Sequence, residues 1–537
     1  ISYLTEVSGD YELFVKKYGS TEKARQLTEN TGSWITGYVW SPDSKKIMFA
    51  DKKNRLMLVD VEEGSVEKID EGYYSAISGY KWSPDNKWIV FHKSDENHLS
   101  SLWLYSVPAK KSYRLTDNSS SESQGVFSKD GKTLTFVSER DYDWADRNFN
   151  ARLYIAPLKK GMESPFASRN DEVELASEKN DEKDNNKKKK EELTVAVDVE
   201  GFEERVVSYP LPTGRYYGLT AVDNGILYQR GGTLYLFDMD KRTEESVISG
   251  IRGYALTGSG KKFVFRKGRD YHIASVAPGQ KAGDKLDLSG MEMKIDPAVE
   301  WKQIYTDAWR IMRDWFYDPG MHGVDWKKMH DKYLPLVSHA AHRTDLDYII
   351  GELISELNAG HCYVNSGDVE QVERVPVGLL GCTFADGDDF YRIDHIYQGE
   401  NWTDELRSPL TESGIEVNEG DYLIGVDGTI IRTNENPYKF FMNKANKLVT
   451  LLVNDSPSAK GAREVMVKTI DSEVALRHHQ WVEHNRNIVD ELSDGRIGYM
   501  YVPNTSFPGF REFYKGWFSQ FTKDGLIIDD RYNGGGS

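Results

Sequence analysis

Few residues in this 537-residue sequence can do chemistry near neutral pH, and their spacing narrows the choice. His361 stands in Leu357-Asn358-Ala359-Gly360-His361-Cys362-Tyr363. Its imidazole titrates in the range a general base needs, although a histidine taken alone is more often structural. Asn533-Gly534-Gly535-Gly536 follows the apolar run Leu526-Ile527-Ile528. Glycine accepts positive φ and close backbone approach, so an amide in such a turn can face a developing oxyanion, or simply turn a strand into a helix. His339 with His342, and His478 with His479 and His484, lack the carboxylate or cysteine of a recognised zinc spacing, so no metal is expected. No glycine loop runs from a strand into a helix through Lys-Ser/Thr, so no nucleotide or other cofactor is expected. Cys362 and Cys382 are the only cysteines. They are too few for a disulfide framework or a four-cysteine zinc site, and either one bridge or two reduced thiols fits.

The elements that would position these groups begin with a repeat. Trp40-Ser41-Pro42-Asp43-Ser44-Lys45 recurs as Trp82-Ser83-Pro84-Asp85-Asn86-Lys87, then as Phe127-Ser128-Lys129-Asp130-Gly131-Lys132, with a degenerate copy from Thr257 to Phe265. Each copy ends one strand on an aromatic, turns tightly, and starts another on an apolar run. The period is that of a four-stranded propeller blade, and such sheets must pack radially to bury both faces. About six blades are expected over residues 1–290, the first entered part-way. A charged insert at about 160–192, with Lys187 to Lys190 at its end, reads as a solvated loop.

After Asp296-Pro297 the period becomes helical: Trp301, Ile304, Tyr305, Ala308, Trp309, Met312 and Trp315 form one stripe, stopped by Asp318-Pro319-Gly320. A second helix is expected from Asp345 to Asn358. The region 296–366 is thus a helical segment. Strands are expected at 375–381 and 390–397. Then comes Gly414-Ile415-Glu416-Val417-Asn418-Glu419-Gly420-Asp421, running on through Tyr422-Leu423-Ile424-Gly425-Val426 to Asp427-Gly428. This resembles the PDZ signature, so 373–470 is expected to be a PDZ-like domain that adds extended peptide to a sheet edge. Its loop at Val377 to Gly381 could offer amides to a carboxylate. A strand at 495–503, a helix from Pro508 to Phe521 and the run ending at Gly536 suggest an α/β core over 472–537.

Gly495-Arg496-Ile497-Gly498-Tyr499, with Asp529-Asp530-Arg531-Tyr532-Asn533-Gly534-Gly535-Gly536, resembles the catalytic domain shared by tricorn and carboxyl-terminal processing proteases. Leu357 to Tyr363 resembles the tricorn segment that carries the general-base histidine. The resemblance covers essentially the whole chain. The fold class it implies is multidomain and mainly β: a β-propeller, a helical segment that is part of the catalytic core, a PDZ-like domain and the beginning of an α/β catalytic core. It implies that His361 takes the proton from a serine nucleophile and that the Gly536 amide forms part of the oxyanion hole.

Two departures from the family pattern matter. The serine that precedes the histidine in tricorn, where it helps orient the ring, is Gly360 here. The family's nucleophilic serine and tetrad glutamate fall downstream of the glycine turn, and Ser537 is too close to that turn to serve. Residues 1–537 alone are therefore expected not to cleave peptides, whereas a form longer by roughly 150–200 residues, about one domain, would.

The implied function is a serine endopeptidase that degrades oligopeptides or unfolded polypeptides through an acyl-enzyme. The alternative is a non-enzymatic propeller–PDZ scaffold that binds peptides. A prolyl-oligopeptidase-like enzyme would need a Gly-x-Ser-x-Gly elbow in an α/β-hydrolase domain, and the Asn-Gly-Gly-Gly turn beside a PDZ signature argues against it. A net charge of −17 excludes general nucleic-acid binding and suits a soluble protein with neutral or basic peptide partners. No apolar run is long enough to span a membrane. Ile1-Ser2-Tyr3-Leu4 reads as the interior of a longer protein. The compartment is cytoplasm or periplasm, with periplasm favoured for a bacterial source, and the resemblance implies a homo-oligomer.

Overall fold

A computed structural model of the chain describes residues 1–6, 9–29, 33–117, 119–141, 151–168, 193–365, 367–369 and 372–536. Most of the charged insert, 169–192, lies outside the described residues. The chain divides into two compact units, Ile1–Asp368 and Val369–Ser537.

Among the described residues the first unit opens with six antiparallel sheets in succession, over residues 2–26, 35–71, 78–114, 122–208, 217–249 and 254–275; the first and last have three strands and the others four. The turn chemistry explains why the repeat is spelled as it is. Ser41, Ser83 and Ser128 each donate to the aspartate two residues on, Asp43, Asp85 and Asp130, at 2.6 Å. The same hydroxyls accept the backbone N–H of Lys46, Trp88 and Thr133 at 2.9–3.0 Å. The turn then passes through the left-handed region at Ser44, Asn86 and Gly131 (φ 60°, 62° and 68°), which glycine occupies without strain in the third copy.

Alternate residues of the inner strands serve different neighbours. Ile89 and Phe91 pack with Met48, Leu56 and Leu58 of the preceding sheet, whereas Val90 packs with Leu134 and Phe136 of the following one. Ile47 and Phe49 likewise face Leu13 and Leu27, while Met48 and Ala50 face the other way.

Helices α1 (Pro297–Trp315), α2 (Trp326–Val337) and α3 (Arg343–Ser355) complete this unit. Asp296 caps α1 by accepting Ala298 N–H at 3.0 Å, with Pro297 in the first turn. Tyr305, Trp326, Tyr333, Leu346, Ile350, Leu353 and Leu357 form their shared core. Helix α1 is also tied to the first two sheets. Gln303 donates to Glu6 at 2.9 Å, Arg313 pairs with Asp10 at 3.2 Å, and Trp34 Nε1 donates to Asp314 at 2.5 Å.

The second unit starts with an antiparallel sheet in the order Cys382–Asp386, Tyr391–Ile396, Tyr422–Val426, Leu448–Asn454, Arg463–Lys468, with Thr429–Ile430 beside the third strand. Asp421 of the Gly-Asp turn accepts Asn418 N–H at 3.0 Å and pairs with Arg463 at 2.7 Å. Asp427 and Gly428 turn the hairpin at φ 48° and 76°. The segment 375–381, expected as a strand, makes only isolated bridges, Val377 to Met442 and Leu379 to Ile470. Helix α4 (Val474–Leu492) leads into strand Ile497–Tyr501, which pairs in parallel with Gly525–Asp529 across helix α5 (Phe507–Phe518). Among the described residues no helix is long and apolar enough to cross a membrane.

One blade turn yields a pH prediction. Asp60 accepts from Lys46 Nζ at 2.8 Å and from the N–H groups of Glu63 and Glu62 at 3.0 Å, which hold its carboxyl down to about 2 from an ordinary 3.8. A native pKa below the unfolded one adds stability that is full above the unfolded value and lost as pH falls through the native value. Asp60→Asn should cost about 1 kcal/mol near neutral pH. Denaturation at stepped pH should show the gap to wild type closing between about pH 4 and pH 2.

Candidate active-site segments

Helix α3 unwinds through Leu357 and Asn358, whose N–H groups bond Ile354 and Ser355 carbonyls at 3.1 and 2.9 Å. Leu357 is fully buried in the helical core. Beyond that anchor the backbone enters the left-handed region twice, at Asn358 (φ 47°) and His361 (φ 59°). The His361 ring is exposed. Its Nδ1 stands 3.4 Å from the Tyr363 hydroxyl, and the two rings meet edge-on. A Cβ on Gly360 would meet nothing within 4 Å. The space for an orienting side chain therefore exists, and Gly360 leaves it unused.

A second histidine, not singled out by the sequence reading, supports this turn. His322 Nδ1 lies 2.8 Å from the Leu357 carbonyl. A carbonyl can only accept, so Nδ1 carries a hydrogen, and in the neutral ring Nε2 accepts from the Tyr317 hydroxyl. Asp318 holds the His322 backbone in its left-handed conformation by accepting the N–H groups of Gly320 and His322 at 2.9 and 2.8 Å, which also keep its carboxyl below the usual range. The Asp-Pro-Gly that stops α1 thus also delivers His322 to the carbonyl just before the His361 turn.

In the second unit, Asp529 ends its strand buried. It receives the Tyr499 hydroxyl at 2.6 Å and the Arg531 guanidinium at 2.5 and 2.9 Å, and Arg531 foremost holds its carboxyl far below the ordinary range. Arg531 in turn lies over the Trp481 ring at 5.0 Å. This bracket fixes the start of the glycine turn. Asn533 donates to the Val502 carbonyl at 2.9 Å and accepts Gly535 N–H at 2.7 Å, while Gly534 N–H donates to the Pro503 carbonyl at 2.8 Å. Two of the three glycine amides are thereby used in shaping the turn. A Cβ on Gly536 would lie 2.5 Å from the Thr505 carbonyl carbon, so glycine is required there.

At three positions the PDZ-like loop differs from the expectation that it offers its amides to a ligand. Gly378 N–H donates to the Phe441 carbonyl at 2.9 Å, Leu379 N–H to the Ile470 carbonyl at 2.8 Å, and Gly381 N–H to Glu473 Oε1 at 2.9 Å. The other Glu473 oxygen pairs with Arg477 at 2.8 Å. Both residues sit at the start of α4, a helix the sequence reading did not assign. Cys362 and Cys382 are both free thiols; burial, and then the nearby Glu473 charge, push the Cys382 thiol up. Among the described residues no three His, Cys, Asp or Glu side chains form a group able to hold a metal ion.

Comparison with known proteins adds a frame to this geometry. The family model of the tricorn protease second β-propeller domain matches residues 1–277, that of the tricorn C1 domain 297–355, and that of the tricorn PDZ domain 378–472. The first of these alone spans more than half of the chain.

The chain belongs to the tricorn protease family.

It is 28% identical, over 99% of its own length, to a Tricorn-like protease C-terminal subunit of Sulfurisphaera tokodaii, and 28% identical, over its whole length, to tricorn protease homolog 1 of Streptomyces coelicolor. It spans 62% and 53% of those two relatives. A crystal structure of the tricorn protease superposes on all of the chain, and on 53% of that protein, with a TM-score of 0.83 at 22% identity, which supports the same fold.

Two outcomes test the tricorn-family segments. Asp529→Ala leaves the buried Tyr499 hydroxyl proton without its acceptor, while Asn485 still donates to the oxygen, and should cost about 2–3 kcal/mol in equilibrium unfolding. His322→Ala should raise amide hydrogen exchange at Leu357–Tyr363 by about tenfold, the equivalent of roughly 1.4 kcal/mol, without changing exchange in the propeller sheets.

Proposed function

We propose that these residues form part of a tricorn-type serine endopeptidase that cleaves oligopeptides or unfolded polypeptides through an acyl-enzyme. In this reading a serine beyond the glycine turn attacks the scissile carbonyl, and His361 takes its proton. His361 then returns that proton to the departing amine, and water releases the acyl group by the same relay. The Gly536 N–H supplies one donor to the oxyanion, worth about 10²–10³ in rate where such donors are removed. The observation that carries the reading is the Leu357–His361 turn. It ends α3 on a buried anchor and exposes the imidazole, in a chain whose family is one of proteases.

The scaffold reading keeps one observation in its favour. Gly360 leaves the ring with Tyr363, at 3.4 Å, as its hydrogen-bonding and ring partner among the described residues. Labelling a form of the protein extended beyond residue 537 with a serine-reactive phosphonate separates the two. The protease reading expects labelling that falls by about 10²–10⁴-fold in His361→Ala. Labelling indifferent to His361 would remove the base from the mechanism, and no labelling at all would favour the scaffold.

A further inference from the structure

The PDZ-like sheet ends at strand Cys382–Asp386, which pairs with Tyr391–Ile396 on one side and with no strand on the other among the described residues. An open edge of this kind takes extended peptide by adding it as a strand. What such an edge accepts is set at its ends.

At the loop end, a free C-terminal carboxylate would need unused amides and an open approach. The amides of Gly378, Leu379 and Gly381 are all donated within the domain. The group on Gly381 is itself a carboxylate: Glu473, only 6% exposed, fills that place and is neutralised by Arg477. Displacing it would strip a buried carboxylate of its Gly381 hydrogen bond, which is unfavourable even with Arg477 still paired to it. The space beside the Gly381 Cα is tight as well. Gly381 sits at φ 74°, and a Cβ there would stand 3.2 Å from Ser408 Oγ and Pro409 Cδ and 3.3 Å from Leu476. Arg477 lies over the Tyr397 ring at 4.6 Å, which holds its guanidinium in position beside Glu473.

At the other end of the strand, Asp386 and Asp388 are exposed, and Asp389 pairs with Arg432 at 3.0 Å. Between the ends, Phe384 lies against the half-exposed Tyr438, ring centres 6.1 Å apart. The edge therefore offers an aromatic platform flanked by negative charge, with its carboxylate-reading position already filled.

We propose that this domain binds the interior of an extended, neutral-to-basic polypeptide along Cys382–Asp386 and does not recognise a free C-terminus, Glu473 standing permanently where a terminal carboxylate would bind. The inference rests on the peptide-degrading reading for its biological setting. Its test needs no catalysis, so it stands or falls apart from the phosphonate labelling.

The test uses the 537-residue chain and one fluorescent peptide, extended and carrying lysines, made as the free acid and as the C-terminal amide. Anisotropy titration should give dissociation constants that agree within about twofold. Amide exchange should show protection at Cys382–Asp386 with the amidated peptide. Glu473→Ala frees Gly381 N–H and Arg477 together, and should create a preference for the free acid of about tenfold or more. Adding Arg477→Gln should abolish that preference. A wild-type preference for the free acid of about tenfold, protection elsewhere than the edge strand, or binding of neither peptide would each overturn the proposal. The wild-type comparison decides it even if Glu473→Ala fails to fold.

Discussion

A sheet of three or four strands with two apolar faces cannot exist alone in water, and the first unit is organised around that constraint. The inner strands send alternate side chains to the blade before and the blade after. Ile89 and Phe91 lie on one side and Val90 on the other, and every adjacent pair of sheets consequently shares one hydrophobic cluster. Burial on both faces is also why the strands read as continuous apolar runs rather than as clean alternation. The turns between them carry the polar burden. A serine hydroxyl, an aspartate carboxylate and one left-handed residue satisfy the backbone where the sheet stops.

The propeller was legible because its signal is local: the serine, the aspartate and the strand they initiate lie within five residues of one another. Helices α1 and α3 were legible for a similar reason, since their apolar stripes and stop signals are contiguous. Helix α4 was not, because only Leu476 of its nineteen residues is buried and its stripe is correspondingly faint. The segment 375–381 has the composition of a strand, yet its partners are Met442 and Ile470, far along the chain, and they hold it at single points. Composition could not show that.

The candidate chemistry divides along the same line. His361 and the glycine triplet stand out because their neighbours in sequence form a pattern. Their supports do not stand out. His322 is joined to Leu357 across 35 residues and Glu473 to Gly381 across 92, through one hydrogen bond each. Nothing in His322 or Glu473, read alone, separates it from an ordinary surface residue. The PDZ-like loop shows what this costs a reading from sequence: its glycines suggest free amides, and the side chain that uses one of them lies in another element.

The ties between α1 and the first sheets have a consequence for the order of folding. They join residues about as far apart as this unit allows, Glu6 to Gln303 across 297 positions and Asp10 to Arg313 across 303. Contacts of such long range must await the entropy loss of the whole intervening chain, whereas blade hairpins close over a few residues. On a chain made from its N-terminus, the sheet at residues 2–26 emerges before the other five and must wait for α1 until they have been synthesised. Of the six sheets it is thus the one made longest before α1, and its ties to that helix are among the last contacts this unit can form.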